Sequence, residues 1–195
     1  AITYARQLAR EEADLLERLT RVHNYPPEDQ VKSKEDLERL GIKTYFCSDV
    51  CAVYDKKVYD ELGGFVYPTI FNEDMIYAGT IIKAGGRIAY CADAQVVHSH
   101  NYSALQQFHR NFDLAVSQTM HPEIFGGIRS ESEGIRLVKR SLSYCIKIRK
   151  PWLMIQVVTQ SAGKLLGYKL GQRYERLPRK LVLACTMNRE FWDKE

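Results

Sequence analysis

The 195-residue sequence lacks any uninterrupted apolar run near the ~20 residues that cross a bilayer, so no membrane-spanning helix is expected. It also lacks a Cys-x-x-Cys pair. Its five cysteines (Cys47, Cys51, Cys91, Cys145 and Cys185) are odd in number, and only three residues separate the first two. With no second pair to follow, that spacing argues against a zinc site or a disulfide framework. It reads as buried, reduced thiols of a cytosolic protein. Gly63-Gly64 and Gly85-Gly86 lack the spacing of a phosphate-cradling loop. No internal repeat is seen. The composition is not that of a disordered chain either, with 45% of residues apolar and 27% charged. The first residues read as a strand already under way rather than a signal peptide, which leads us to expect a piece of a longer protein.

What is present is unevenly placed. The formal net charge is +4, yet the stretch from Arg136 to Lys180 carries 12 Lys and Arg against one acid, Glu175. Such a block seeks a polyanion or an anionic membrane surface; nucleic acid is not the partner expected. Within it, Trp152, Leu153, Ile155, Val157, Val158, Leu165, Leu166, Tyr168 and Leu170 make a broad apolar surface. Lys147, Arg149, Lys150, Arg173 and Arg176 flank it. That suits a helix lying in a membrane interface. Packing against another part of the protein explains it as well, and exposed surface of this kind also favours homo-oligomers.

Along the chain, Ala1 to Leu8 is β-compatible, and Glu11 to Val22 has helical apolar spacing that the prolines of Asn24-Tyr25-Pro26-Pro27 end. Ser33 opens a short helical turn closed by Gly41. Ile42 to Ala52 is rich in β-branched, aromatic and thiol side chains and predicts a buried strand. Asp55 to Leu62 predicts a short helix. Asn72 is expected to cap the next one, with Glu73 and Asp74 in its first turn, where the helix dipole favours acids. Two β-like stretches, Arg87 to Cys91 and Gln95 to His98, join around Asp93. Ser103 to Met120 predicts an amphipathic helix with Leu105, Phe108, Phe112, Ala115 and Val116 on one face. Gly126-Gly127 is the expected boundary, beyond which Ser132 to Ile148, Trp152 to Gly171 and Leu177 to Cys185 read as helices. We therefore expect an α/β body over 1–125 and an all-helical appendage over 126–195.

Three groups can carry chemistry. Glu73-Asp74 sits after an apolar, proline-broken loop (Phe65 to Phe71); acids delivered this way lie at cleft lips, and a carboxylate there can act as general base for a hydroxyl. A purely local reason, the unpaired N–H groups of a first helical turn, accounts for the pair too. His98 and His100 share one strand face. They would be two ligands at most, so a divalent ion would need carboxylates or phosphate oxygens from elsewhere. Ser48-Asp49 places an ionisable residue inside an otherwise apolar segment, which is costly unless it is paired or functional.

The segments ARQLAREEADLLER, HNYPPEDQVKSKEDLERLGIKTYFCSDVCAVYDKKVYDELGGF, NEDMIYAGTIIKAGGRIAY, ADAQVVHSHNYS with QQFHRNFD, and KLLGYKLGQRYERLP together resemble the C-terminal two-thirds of an inverting family-2 glycosyltransferase. The likeness is to the bacterial rhamnosyltransferase-like members. It implies a partial GT-A body, a nucleotide-diphospho-sugar transferase fold lacking its N-terminal half. It also implies a nucleotide-sugar donor, a glycan or lipid-linked acceptor, and a divalent ion (Mg or Mn) in the full-length parent, with none expected on the fragment. Asp74 matches the family's general base and Glu73 its neighbour. His98 matches a strand-end histidine of the metal or diphosphate site, with His100 as second candidate, and Asp49 with Ser48 falls where the acceptor pocket is lined. The family's Asp-x-Asp segment does not occur here, so the fragment alone should be inactive. The likeness places the protein in the cytoplasm, peripheral on the inner face of the plasma membrane. The competing expectation is a non-enzymatic, basic helical module that binds membrane or oligomerises.

Overall fold

Ile2–Leu8 forms β1, one of two central strands in a four-stranded mixed sheet. The computed structural model describes residues 1–128 and 131–193. In chain order β1 is followed by α1 (Leu15–Asn24), β2 (Gln30–Lys32), α2 (Leu37–Leu40), β3 (Ala52–Tyr54), α3 (Lys56–Glu61) and α4 (Glu73–Lys83). Then come β4 (Ile88–Val97), α5 (Ala104–Met120), α6 (Pro122–Phe125), α7 (Glu131–Lys147), α8 (Leu153–Gly171), α9 (Arg179–Cys185) and α10 (Arg189–Trp192). The architecture is α/β.

These elements form two compact units that interleave along the chain. The first takes Ala1–Tyr67, Glu73–Asn101 and Ile124–Glu133; the second takes Pro68–Asn72, Tyr102–Glu123 and Gly134–Glu195. The boundary read at Gly126-Gly127 falls inside the last segment of the first unit, and α5 goes with the later helices.

In the first unit β1 pairs in parallel with β4 and antiparallel with β3, while β2 pairs antiparallel with β4. The β1–β4 register jumps: Ala5 faces Cys91 but Arg6 faces Gln95, so Ala92, Asp93 and Ala94 are extra residues on one strand. That bulge is the break read around Asp93, and the side chain of Asp29 accepts the Ala92 N–H there at 2.6 Å. The sheet packs against α4, whose Ile76, Tyr77, Ala78, Ile81 and Ile82 are all buried. Gly85, with φ +83°, ends α4: its N–H and that of Gly86 fold back onto the carbonyls of Ile82 and Ile81. Tyrosines fill much of this core, among them Tyr4, Tyr25, Tyr45, Tyr77 and Tyr90.

Several local expectations are corrected. Ile42 to Ala52 is not a strand: a 3-10 turn spans Gly41–Thr44, another spans Asp49–Cys51, and only Ala52–Tyr54 pairs in the sheet. Asn72 does not adopt the extended backbone of a capping residue. It sits at φ 66°. All five cysteines are free thiols, but Cys51 is exposed and Cys91 half-buried rather than buried.

The second unit is organised by α5 and α8. Ser103 and Gln106 form a capping box at the start of α5. Phe112, Ala115 and Val116 are buried as expected, whereas Leu105 is 64% exposed. Three glycines of α8, spaced four apart, lie against successive carbonyls of α5. A Cβ added at Gly163, Gly167 or Gly171 would lie 2.4, 2.1 or 2.3 Å from the carbonyl oxygen of Ala104, Phe108 or Phe112. The register rises together on both helices, so they run in the same direction. Only glycine permits this approach. Asp113, 1% exposed, closes the far side by accepting from Thr186 at 2.6 Å and from the Met187 N–H at 3.0 Å.

Candidate active site

Asp74 stands in the first turn of α4, where its Oδ1 accepts the Met75 N–H at 2.7 Å. The backbone N–H of Asp49 donates to the same carboxyl group. Burial pushes the Asp74 pKa up to about 7, and the charges of Asp49 and Glu73 add to the rise; the two N–H donors oppose it. An acid that titrates near neutrality and is only partly open to water is suited to accept a proton from an alcohol. Glu73, half-buried, acts on Asp74 through its charge.

Asp49 reaches Asp74 by a route the sequence did not suggest. It is an exposed residue on the 3-10 turn Asp49–Cys51, not a buried acid inside a strand. Its main-chain N–H holds Asp74, and its own carboxylate faces water. The preceding Ser48 accepts from Gln7 Nε2 at 2.6 Å and hydrogen-bonds the phenol of Tyr25. Lys32 supports the same segment from β2. It is 2% exposed, and its ammonium donates to the Lys43 carbonyl and the Tyr4 hydroxyl, each at 3.2 Å, and to the Phe46 carbonyl. Burial lowers the Lys32 pKa to about 8. Cys47, between Lys32's contacts and Ser48, is kept as a neutral thiol because burial pushes its pKa up to about 12.

His98 and His100 follow β4. The His98 N–H donates to the Leu8 carbonyl at 2.9 Å, continuing the sheet by one bond. As the i, i+2 spacing implies, the rings meet. Their Nε2 atoms are 3.0 Å apart and their planes stand at 85°. One Nε2 must donate to the other, so in this arrangement the pair does not offer both to an ion. Among the described residues, no group of three or more His, Cys, Asp or Glu side chains is placed to hold a metal ion. The described residues do not fit a divalent-cation site.

A hydrogen-bond relay connects the histidine segment to the acid cluster. Glu17 accepts the His100 N–H at 3.1 Å and pairs with Arg21 at 2.7 Å. Arg21 donates to Gln7, which in turn donates to Ser48. Gln7 (3% exposed) and Glu17 (9%) are buried polar groups with partners on both sides. Reading the sequence missed Gln7, Glu17, Arg21 and Lys32. Only Glu17 and Arg21 left a signal, an i, i+4 acid–base pair on α1. Tyr54 is a further omission. Its hydroxyl is buried without a hydrogen-bond partner, close enough to Asp49 and Asp74 that their charges, after burial, help raise its pKa. An orphaned hydroxyl beside the acid pair is a ready donor for a bound alcohol.

An α/β body with a buried carboxyl held by main-chain N–H groups and raised to titrate near neutrality defines the site without singling out a family. Comparison narrows it. The chain is 41% identical, over 196 aligned positions covering 99% of it, to the "O-antigen chain rhamnosyltransferase WbaN" of Salmonella anatum. It is 40% identical, over the same share of its length, to the "O-antigen chain rhamnosyltransferase RfbN" of Salmonella typhimurium strain LT2. It spans about three-fifths of these relatives, 61% and 62% of their lengths. No protein-family model matches the chain, and no solved structure matches it.

Proposed function

We propose that this chain carries the acceptor side of an inverting GT-A glycosyltransferase that moves a sugar, rhamnose by analogy with the named relatives, from a nucleotide-diphosphate donor to a glycan or lipid-linked acceptor. The observation that carries the reading is Asp74, a carboxyl whose burial brings its titration near neutrality and whose orientation is fixed by the N–H groups of Asp49 and Met75. Asp74 accepts the proton of the acceptor hydroxyl as that oxygen attacks the anomeric carbon. The new C–O bond forms on the face opposite the one that breaks, and the electron pair of the broken bond leaves with the nucleoside diphosphate. Tyr54 and Ser48-Asp49 line the acceptor's approach. His98 and His100 bear on the departing diphosphate as hydrogen-bonding groups. Residues outside this chain would bind the nucleotide and any divalent ion the parent uses.

The test is transfer by the natural full-length protein. Asp74→Asn, which keeps size and loses basicity, is expected to lower kcat by about 10²–10⁴-fold with KM for the acceptor changed little. Full activity in that variant would remove Asp74 from the role.

A further inference from the structure

α8 is apolar on two opposite faces. One carries Gly163, Gly167 and Gly171 against α5. The other carries Ile155 (71% exposed), Val158 (54%), Leu165 (56%) and Leu166 (60%), which fall within a sector about 100° wide around the helix. At about 100° per residue the stripe is centred roughly 150° from the middle of the glycine row, so it lies on the side of α8 away from α5. Four large aliphatic side chains in line are more than scattered surface apolarity. Trp152, 62% exposed, and Ile146, 63% exposed, continue the surface at the start of the helix, beside the exposed Lys147 and Lys150.

We infer that this stripe seats on an anionic lipid surface, with α8 lying along the membrane. No helix among the described residues is long and apolar enough to cross one. Charge selects the occupant. From Arg136 to Lys180 a single acid, Glu175, opposes 12 basic residues, and none of α8 or the turn leading into it is acidic. Lysine is depleted from the buried centres of protein interfaces, whereas an apolar stripe edged by cations matches acyl chains beneath anionic headgroups. A tryptophan at the edge, next to lysines, sits where indole rings settle at a membrane boundary. The second unit alone supplies these residues, so the inference stands independently of Asp74.

The experiment is cosedimentation of the natural full-length protein with vesicles of phosphatidylcholine alone and of a two-to-one mixture with phosphatidylglycerol. Binding is expected to the mixture, weakening with added salt, and not to phosphatidylcholine alone. Each of Lys147→Gln and Lys150→Gln should weaken it by about fivefold. The double change Ile155→Asp with Leu165→Asp should abolish it while the helical circular dichroism stays that of the parent, because both side chains are exposed. Three outcomes would overturn the inference: no binding to the anionic vesicles, binding indifferent to the double change, or a double change that converts a dimer to monomer and leaves vesicle binding intact. The last would assign the stripe to a second copy.

Discussion

At the scale of single residues, a carboxyl whose titration burial raises to near neutrality costs stability, and the cost has a sign. Asp74 has its folded pKa raised to about 7 from an ordinary carboxylate value, so the folded state prefers the protonated acid. Its favourable contribution is fully present below about pH 4 and is lost as pH rises through 7. Asp74→Asn is therefore expected to raise stability at pH 8, on the order of 2 kcal/mol, and to leave it nearly unchanged at pH 4. Urea midpoints at the two pH values read this directly, and equal effects at both would show that the carboxyl is not perturbed. Gln7 makes a second prediction. It holds Ser48, and through it the Asp49 N–H that favours ionised Asp74. In Gln7→Leu the rising limb of the kcat pH profile should move up by about one pH unit, beyond any fall in kcat. An unmoved midpoint would reduce Gln7 to a packing residue. Of these residues only Asp74 was singled out by the sequence, because an acid pair after a proline-broken apolar loop is a local signal. Gln7, Lys32 and Tyr54 were not: partners 11 to 41 residues away fix the first two, and an orphaned hydroxyl leaves no pattern.

At the scale of elements, the glycine ridge is the plainest test. Gly167→Ala puts a methyl group 2.1 Å from the Phe108 carbonyl oxygen and is expected to destabilise by about 1–3 kcal/mol, despite alanine's better helix propensity. Gly134 on α7 supplies the control, since a Cβ there meets nothing within 4 Å. Gly134→Ala should stabilise by about 0.5–1 kcal/mol. If both changes act alike in denaturant titrations, the close approach of α5 and α8 is wrong. The four-residue spacing of Gly163, Gly167 and Gly171 is plain in the sequence, but the apolar residues between them carry the stronger periodic signal. The misread strand from Ile42 to Ala52 has another cause. Tyr45 and Cys47 are buried as a strand's side chains would be, yet Lys32 takes up the carbonyls of Lys43 and Phe46 that a neighbouring strand would need. A side chain replaced a ladder, and composition alone does not register that.

At the scale of the whole chain, the mixture of strands and helices, and the helical character of everything described beyond Phe125, followed from periodicity. The interleaving of the two units did not. Ala104–Met120 has a buried face that matches either unit equally well from sequence, and the glycines that claim it come about fifty residues later in the chain. The basic block was visible at once. Its meaning depended on seeing which flank of α8 the glycines occupy, since only then does the remaining flank become a surface.

The helix that begins with the acid pair runs on through Ile76, Tyr77, Ala78, Ile81 and Ile82, sealed from water over its whole inner side. On the role proposed for Asp74, a carboxyl mounted on so stiff a stem has no swing to offer. Productive encounters must then be governed by how the incoming alcohol is delivered, and slow amide exchange across Ile76 to Ile82 should persist unchanged whether or not that alcohol is bound.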